Sequence, residues 1–477
     1  MDVTQARTDA AAESGFFRER FVQQVMRNLP LADAVLSLGS YVLQPEFLNT
    51  LFQEHRQRSY EDTLSFAGFV QLVSDALLQH GGSARKCLER AERAGTLPVC
   101  PEAFYGKLRR VPLELSEGFL ADLSWRLQEL LPPRPSPLPA SLAGLEVLVV
   151  DGKKLKRVAK RLLPARQAAG KLFGGKLLVA WQPRTALVVA MAAHADGEAN
   201  DCRLVPDLLP QVRALVAGPR LWVVDRQFCD LVQIGRFTQD QDHFLARYHP
   251  KVHFHSDPQR SARTTQDERD RTVVEEWGWL GSKREVYVRR ITLRRPNEED
   301  IILVTDLLDG AALPATDLLA VYLQRWGIER VFQQVTEVFH LQRLIGSTPQ
   351  ATVFQGAFCL LLYNLIQVIK GYVAAADGRD PDTISSESLF YDIRRQLTAV
   401  TELATPQEIV ECIPARCRGD EITPHLQGLL SKVWMPRWIK AANKRPRPQT
   451  TRVKGSGAHT SVQRMIDQHR QRKTAKR

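Results

Sequence analysis

Two short apolar runs in this chain end in the same way, each at an aspartate. Residues 145–150 read Leu-Glu-Val-Leu-Val-Val and precede Asp151, and residues 221–224 read Leu-Trp-Val-Val and precede Asp225. Runs of this kind are typical of buried strands, and the carboxyl ends of such strands are the usual position of a site in an open α/β sheet. If the two strands are neighbours, Asp151 and Asp225 lie side by side.

Two adjacent carboxylates repel each other, and a cation between them relieves this repulsion. Mg²⁺ prefers hard oxygen ligands of this type, together with phosphate oxygens of a substrate. Each aspartate taken alone is also compatible with the start of a loop or with a helix cap.

A third carboxylate lies on a helix predicted to begin near residue 316 and to run past residue 339. At 100° per residue, Tyr322, Arg325, Glu329 and Thr336 fall within an arc of about 60° and share one face. An arginine and a glutamate four residues apart are, taken alone, an ordinary surface pair.

Changes in pattern divide the chain into segments. Helical spacing of apolar residues fills the first part, a proline cluster follows, and strand-like runs then alternate with helices. We predict a separate helical domain at 1–131, a proline-rich linker at 132–140, an α/β domain in two parts at 141–250 and 306–372, a β-strand insertion between them at 251–305, a helical region at 373–436 and a basic tail at 437–477.

The positive charge of the chain is concentrated in that tail. Residues 437–477 contain thirteen Lys and Arg and one acid, Asp467, which accounts for the whole formal net charge of +12. Such tails commonly bind nucleic acid through its phosphates, although a solvated end has the same composition. The N-terminus carries charges throughout, and the most apolar stretch, 357–369, is too short to span a bilayer, so we expect neither a signal peptide nor a membrane segment.

Taken together, these residues resemble a known family. The segment from Tyr322 to Phe332, with Arg325-Trp326 and an isoleucine before Glu329, resembles the Tyr–Arg–Glu signature of bacterial insertion-sequence transposases of the DDE type. Residues 151–152 resemble the surroundings of the family's first aspartate, and residues 225–228 and 244–247 resemble those of the second. Residues 303–307 resemble the strand that precedes the signature. The segments follow one another in the same order as in the family. The resemblance covers roughly residues 140–370.

The resemblance implies an RNase H-like fold, a five-stranded mixed sheet flanked by helices with a β-rich insertion. It implies a DNA transposase that binds the terminal inverted repeats, cleaves the ends and transfers the 3′-OH strands to target DNA. Two Mg²⁺ (or Mn²⁺) ions would be held by Asp151, Asp225 and Glu329, and Tyr322 and Arg325 would contact phosphates. The expected partners are the transposon ends, target DNA and a second copy of the chain, in a bacterial cytoplasm at the nucleoid.

One position departs from the family signature, which usually has a lysine seven residues after the glutamate. Here that position is Thr336. Such a lysine is expected to contact DNA phosphate rather than metal, so its absence concerns binding of the transposon end. Arg330 or a basic residue elsewhere in the chain could replace it.

Further DNA contacts are predicted outside the signature. Arg226 follows the second aspartate directly. Residues 83–110 suggest a helix-turn-helix whose second helix ends in basic residues, Lys107, Arg109 and Arg110, although a plain helical bundle fits equally well. Trp277 and Trp279 in the insertion could stack on a flipped base, or could belong to the core of a small sheet.

Three alternative functions remain open from the sequence. The first is a catalytically decayed or repurposed DNA-binding relative of a transposase, which the Thr336 departure favours. The second is another RNase H-like nuclease, such as a junction or repair enzyme. The third is a carboxylate-based hydrolase such as a glycosidase, which would leave the basic tail and Arg325 unexplained.

Overall fold

The two strands that carry the apolar runs lie next to each other and are parallel. In the computed structural model, β1 (Glu146–Lys156) and β4 (Arg220–Val224) pair from Glu146 opposite Arg220 to Val149 opposite Val223. The structure describes residues 18–475 except 58–62, 79, 81, 94, 96, 98, 169, 297, 340, 342, 414–420 and 441–458. The start of the predicted N-terminal domain and most of the centre of the predicted basic tail thus lie outside the described residues.

The described strands form one mixed sheet. The other strands are β2 (Leu172–Gln182), β3 (Leu187–His194), β5 (His243–Arg247), β6 (Phe254–Ser256), β7 (Arg263–Gln266), β8 (Thr272–Leu280), β9 (Val286–Leu293), β10 (Ile301–Thr305) and β11 (Thr460–Ser461). Their order is β11-β2-β1-β4-β5-β10-β9-β8-β6, with β3 on β2 and β7 on β8. Within the described part of the chain this is an eleven-stranded sheet, and the predicted mixed α/β class is confirmed.

The described sheet has more than the five strands predicted for the core, because the insertion does not form a sheet of its own. β10 pairs antiparallel with β5, at Leu303 opposite Arg247, and β9 and β8 continue outward from it. The backbone groups on the free side of β5 are therefore satisfied by the insertion, which extends the central sheet.

The first apolar run also extends further than predicted. β1 does not end at Asp151 but continues to Lys156, paired with β2 at Lys153 opposite Leu177 and at Lys154 opposite Lys176. On its other side, the pairing of β1 with β4 stops at Val149. The residues after Asp151 are charged, and β2 supplies hydrogen-bonding partners for their backbone.

Helices cover the sheet and, in the part of the chain that the structure describes, precede its first strand and follow its last. They are α1 (18–28), α2 (Pro30–Val42), α3 (Pro45–His55), α4 (Phe66–Leu78), α5 (Ala84–Arg93), α6 (Pro101–Leu108), α7 (Leu113–Glu129), α8 (Val205–Leu215), α9 (Leu231–Phe237), α10 (Ala315–Gln324), α11 (Trp326–Glu337), α12 (Pro349–Ala376), α13 (Ser386–Leu403), α14 (Pro406–Cys412), α15 (Ile422–Leu430) and α16 (Val462–Thr474).

The N-terminal helices share a hydrophobic core with the sheet, and the boundary of an N-terminal domain at residue 131 stays a prediction. Phe119 of α7 lies 5.2 Å, between ring centroids, from Phe354 of α12, and Phe66 of α4 lies 6.1 Å from the same ring. α7 also packs directly on β3. Apolar burial of this extent joins the two regions into one packing unit.

The long central helix α12 has 28 residues and begins after Thr348, whose hydroxyl caps the helix by accepting from the backbone of Ala351. By length and composition it is the one described helix that could cross a membrane, but its apolar window is entirely buried inside the protein. Asn364, in its middle, hydrogen-bonds the backbone of Val188 on β3 and the hydroxyl of Ser124. These contacts identify α12 as the core helix behind the sheet.

The C-terminal end of the chain docks on the same sheet. β11 pairs parallel with β2, at Ser461 opposite Phe173, and α16 follows it directly. Arg464 of α16 forms ion pairs of 2.8 Å with both Asp196 and Glu198. The part of the predicted tail at 459–475 is thus attached to the α/β domain.

Candidate functional site

The two aspartates lie together because of the parallel pairing of their strands. Asp151 is in β1, two residues beyond Val149, and Asp225 is two residues beyond its partner Val223. The Asp225 carboxylate accepts a hydrogen bond of 2.9 Å from the backbone of Gln227, and the Asp151 carboxylate one of 2.8 Å from Gly152. Asp225 therefore also caps the short 3-10 turn that follows it.

The predicted long helix is interrupted at Arg325, which separates α10 from α11. Arg325 still faces Glu329, with 3.3 Å between Nη2 and Oε1. Its Nη1 lies 3.8 Å from Oδ2 of Asp151, and its side chain is only 12% exposed. The helix thus brings its glutamate to the two aspartates with a guanidinium between them.

Tyr322 belongs to the same cluster but is not available at the surface. It is buried, and the guanidinium carbon of Arg325 lies 5.8 Å from its ring centroid. Burial raises the pKa of the Tyr322 hydroxyl. Its contact with Arg325 indicates that Tyr322 positions that arginine.

The electrostatics of the cluster show an excess of negative charge. Burial raises the pKa of Asp151 to about 6, a shift that Gly152 and Arg325 oppose and that Asp225 and Glu329 increase. Burial likewise raises the pKa of Asp225. Burial lowers the pKa of Arg325, but Tyr322 and the three carboxylates outweigh that effect and raise it. A bound cation would relieve this mutual repulsion.

The donor chemistry of the three carboxylates fits a hard divalent cation. Their oxygens are not drawn together as they would be around one ion. Among the described residues, the set of three potential ligands whose atoms all lie within 4.8 Å is Glu54, His55 and Asp122, on α3 and α7. At the aspartates, Arg325 is the cation that lies between Asp151 and Glu329.

A fourth carboxylate, Asp201, supports the site and was not predicted. It is buried, forms an ion pair with Lys176 of β2, and accepts a 2.6 Å hydrogen bond from the side chain of Gln227. A Cβ on Gly152 would lie 2.3 Å from its Oδ1. Asp201 thus joins the segments around Asp151 and Asp225, and the glycine after Asp151 was the one sequence signal of such a close approach.

The space next to Thr336 contains a lysine from a different element. The Thr336 hydroxyl donates to the Phe332 carbonyl at 2.7 Å, and Nζ of Lys153 lies 3.4 Å from the same oxygen. Arg330 is exposed on α11, and its charge disfavours the ionised form of Lys440. A positive charge is therefore present beside residue 336, on β1 rather than on the helix.

The two tryptophans of the insertion that were predicted to stack on a base, Trp277 and Trp279, differ in their exposure. Trp277 is buried, donates to the Leu308 carbonyl at 3.0 Å and is covered by Arg260 at 3.8 Å, so it presents no face to a base. Trp279 is half-buried against Tyr287. Trp326, next to Arg325 in the sequence, is 61% exposed.

The remaining predicted DNA contacts differ in accessibility. Arg226 forms a 2.5 Å ion pair with Glu299 at the edge of the insertion. Lys107 of α6 is half-buried, with its ammonium directed at the Leu64 carbonyl and at the ring of Phe52. Arg109 and Arg110 follow the end of α6 and are exposed.

The chain is similar to a known family over its central part and to a solved structure over most of its length. No curated protein matches it. A cryo-EM structure of the piggyBac transposase synaptic complex with hairpin DNA is similar over 87% of this chain and 88% of that chain, at 11% identity and a TM-score of 0.35. Residues 143–365 match the family described as the transposase DDE domain. That segment contains Asp151, Asp225 and Glu329.

Proposed function

We propose that this protein is a DNA transposase whose active site is formed by Asp151, Asp225 and Glu329. The observation that carries the proposal is the meeting of these carboxylates around Arg325, inside the segment that matches the transposase DDE domain. The order β3-β2-β1-β4-β5, with parallel β1, β4 and β5 and antiparallel β2, supports an RNase H-like core for this domain.

The proposed chemistry is hydrolysis at the transposon end followed by attack of the freed 3′-OH on target DNA. Two divalent ions, Mg²⁺ or Mn²⁺, held by Asp151, Asp225 and Glu329 would stabilise the attacking and leaving oxygens at phosphorus. The chain itself provides position and charge. Glu329 and Asp151 are fixed relative to each other by Arg325, and Asp225 is fixed by the backbone of Gln227.

Arg325 has a second proposed role, in holding phosphate. Its Nε is buried without a hydrogen-bonding partner among the described residues. A guanidinium presents a planar fork of donors that matches a phosphate, so Arg325 is suited to contact the DNA backbone next to the carboxylates. Lys153 and Arg226 are further proposed contacts, although Arg226 must leave Glu299 to reach DNA.

The proposed partners are the transposon ends, target DNA and a second copy of the chain that holds the other end. Recognition of the end sequence is assigned to α5 and α6, where Arg109 and Arg110 are exposed. We assign base stacking to Trp279 or to the exposed Trp326 rather than to the buried Trp277.

A strand-cleavage assay tests the proposal. Purified protein is incubated with DNA that carries the inverted repeats flanking its own locus, with Mg²⁺, with Mn²⁺ or with EDTA. We expect nicks at the repeat boundary that need the metal and disappear in Glu329→Ala. Glu337→Ala, on the exposed side of the same helix, is the matched control and should cleave normally.

The opposite result points to the alternative function. Tight binding of the repeats without cleavage under either metal would overturn the enzymatic proposal and favour a DNA-binding relative that has lost catalysis. Equal cleavage by the Glu329→Ala variant would remove this glutamate from the active site.

A further inference from the structure

A dense run of positive charge begins two residues after Asp151. Residues 152–171 contain eight Lys and Arg and no Asp or Glu. The segment includes the second half of β1, the turn that follows and the approach to β2. Six of its basic residues are exposed, namely Lys156, Arg157, Lys160, Arg161, Arg166 and Lys171.

Four of these charges are not neutralised in the way that several arginines elsewhere in the protein are. Arg220 and Arg213 pair with Asp242 at 2.7 and 2.9 Å, and Arg290 pairs with Glu276 at 2.6 Å. By contrast, Lys156, Lys160, Arg166 and Lys171 make no ion pair with any carboxylate of the described residues.

Two of the basic residues in this segment donate hydrogen bonds to uncharged groups. Lys160 donates to the Ala168 carbonyl at 2.5 Å, and Arg161 to the Ile345 carbonyl at 3.4 Å. Such bonds position a cation without reducing its charge, so the segment retains a strong positive potential.

The C-terminal helix adds to the same surface. β11 pairs with β2 immediately after Lys171, and α16 packs on residues 163–165, in the middle of the basic segment. Arg464 holds the helix there through Asp196 and Glu198. Arg472 and Lys473, near the end of α16, are exposed and have no carboxylate partner in the described part of the chain, and Arg470 lies 4.0 Å from Asp467.

We propose that this surface binds the phosphate backbone of duplex DNA beside the phosphate that is cut. The basic surface comprises the six exposed residues of 156–171 together with Arg470, Arg472 and Lys473. The inference rests on the proposed function for the identity of its partner. Its placement supports this, because β1 leads directly from Asp151 to Lys156.

The length of β1 between Asp151 and Lys156 agrees with a DNA duplex that continues from the carboxylates along this strand. Five residues of strand from Asp151 to Lys156 span roughly 17 Å. Phosphates of one DNA strand are spaced by about 3.4 Å along the helix axis, so this span corresponds to about five of them. Contacts of this type are independent of sequence and fix the register of the duplex at the active site.

The salt dependence of binding tests the inference. Anisotropy of a fluorescein-labelled duplex is titrated with protein at several KCl concentrations in EDTA, so that no cleavage occurs. One variant combines Lys156→Gln, Arg157→Gln and Lys160→Gln, and a second combines Arg470→Gln, Arg472→Gln and Lys473→Gln. The matched control combines Arg20→Gln, Arg27→Gln and Lys432→Gln, three exposed residues on or next to the outer helices.

Each phosphate contact contributes about 0.9 to the slope of log K against log salt. We expect either basic-surface variant to lose about 2–3 from this slope and the control to keep the wild-type value. Unchanged slope and affinity in both variants would overturn the inference. Thermal melting identifies any variant that does not fold, and the other triple then decides the result.

Failure of this inference is distinguishable from failure of the proposed function. Metal-dependent cleavage by the wild type, with unchanged DNA binding by both triple variants, would contradict only the proposed role of the basic surface. A reduced slope in the triples, without any cleavage by the wild type, would sink the transposase activity and leave the DNA-binding surface in place.

Discussion

Nη1 of Arg325 lies 3.8 Å from Oδ2 of Asp151, although the two residues come from a helix and from the middle of a β-strand. The arginine therefore acts as the fixed counter-charge of an aspartate that is itself 17% exposed. Asp225 and Glu329 both disfavour the ionised form of Asp151, and the charge of Arg325 opposes their effect.

Arg325→Gln should lower the free energy of unfolding in EDTA by an amount on the order of 2–3 kcal/mol. This is somewhat less than the effect of removing one partner of a fully buried ion pair. Addition of Mn²⁺ should raise the melting temperature of this variant more than that of the wild type, since the ion replaces the missing charge. Thermal melts with EDTA and Mn²⁺ measure this, with Arg330→Gln as control. An equal gain in both proteins would contradict the role of Arg325.

Gly152→Ala should destabilise the protein by about 1–3 kcal/mol, the range for an overpacked site, because the new Cβ would overlap the Asp201 carboxylate. Denaturant unfolding measures the loss. Gly144→Ala, where a Cβ meets nothing within 4 Å, is the control. In an Asp201→Ala background, Gly152→Ala should lower the free energy of unfolding by less. The same loss with and without Asp201 would argue against this contact.

We expect the Lys153 ammonium to contact a DNA phosphate beside Thr336. Lys153→Met should therefore reduce the rate of DNA cleavage roughly 10- to 100-fold, which corresponds to the loss of one charged hydrogen bond. Thr336→Lys in the same background should restore most of the rate, because it puts a cation at the same place from the helix. Gln333→Lys adds the same charge on an exposed position of α11 and should not restore it. Equal rescue by both lysines would indicate a general charge effect.

Glu117 should make stability depend on pH. Burial raises its pKa to about 7, against the opposing hydrogen bond from the backbone of Ala193. An acid whose folded pKa is raised binds its proton more tightly in the folded state than in the unfolded state, where it titrates near 4.3. Its contribution is therefore complete below about pH 4 and is lost as the pH rises through 7.

Glu117→Gln should consequently flatten the fall in melting temperature between pH 5 and pH 8. Glu114→Gln, on an exposed position of the same helix, should leave most of that fall in place. Melting curves across this pH range make the comparison. Parallel curves for Glu117→Gln and the wild type would show that another group is responsible.

The sequence by itself determined the elements that depend on local pattern. The apolar runs before Asp151 and Asp225 are strands, and residues 315–324 and 326–337 are helical. Arg325 and Glu329 face each other because residues four apart in helical geometry share one face. Adjacent parallel strands then bring the two aspartates to the same edge, as their common ending predicted.

Tertiary structure decided what depends on partners distant in the chain. β1 continues past Asp151 because β2 accepts it, and the insertion joins the sheet because β5 has a free edge. Asp201 reaches Gly152, and α16 reaches the basic turn after β1, through contacts that no local pattern encodes. Burial of Trp277 follows from the same cause, since the exposure of a side chain is set by which surfaces pack against it.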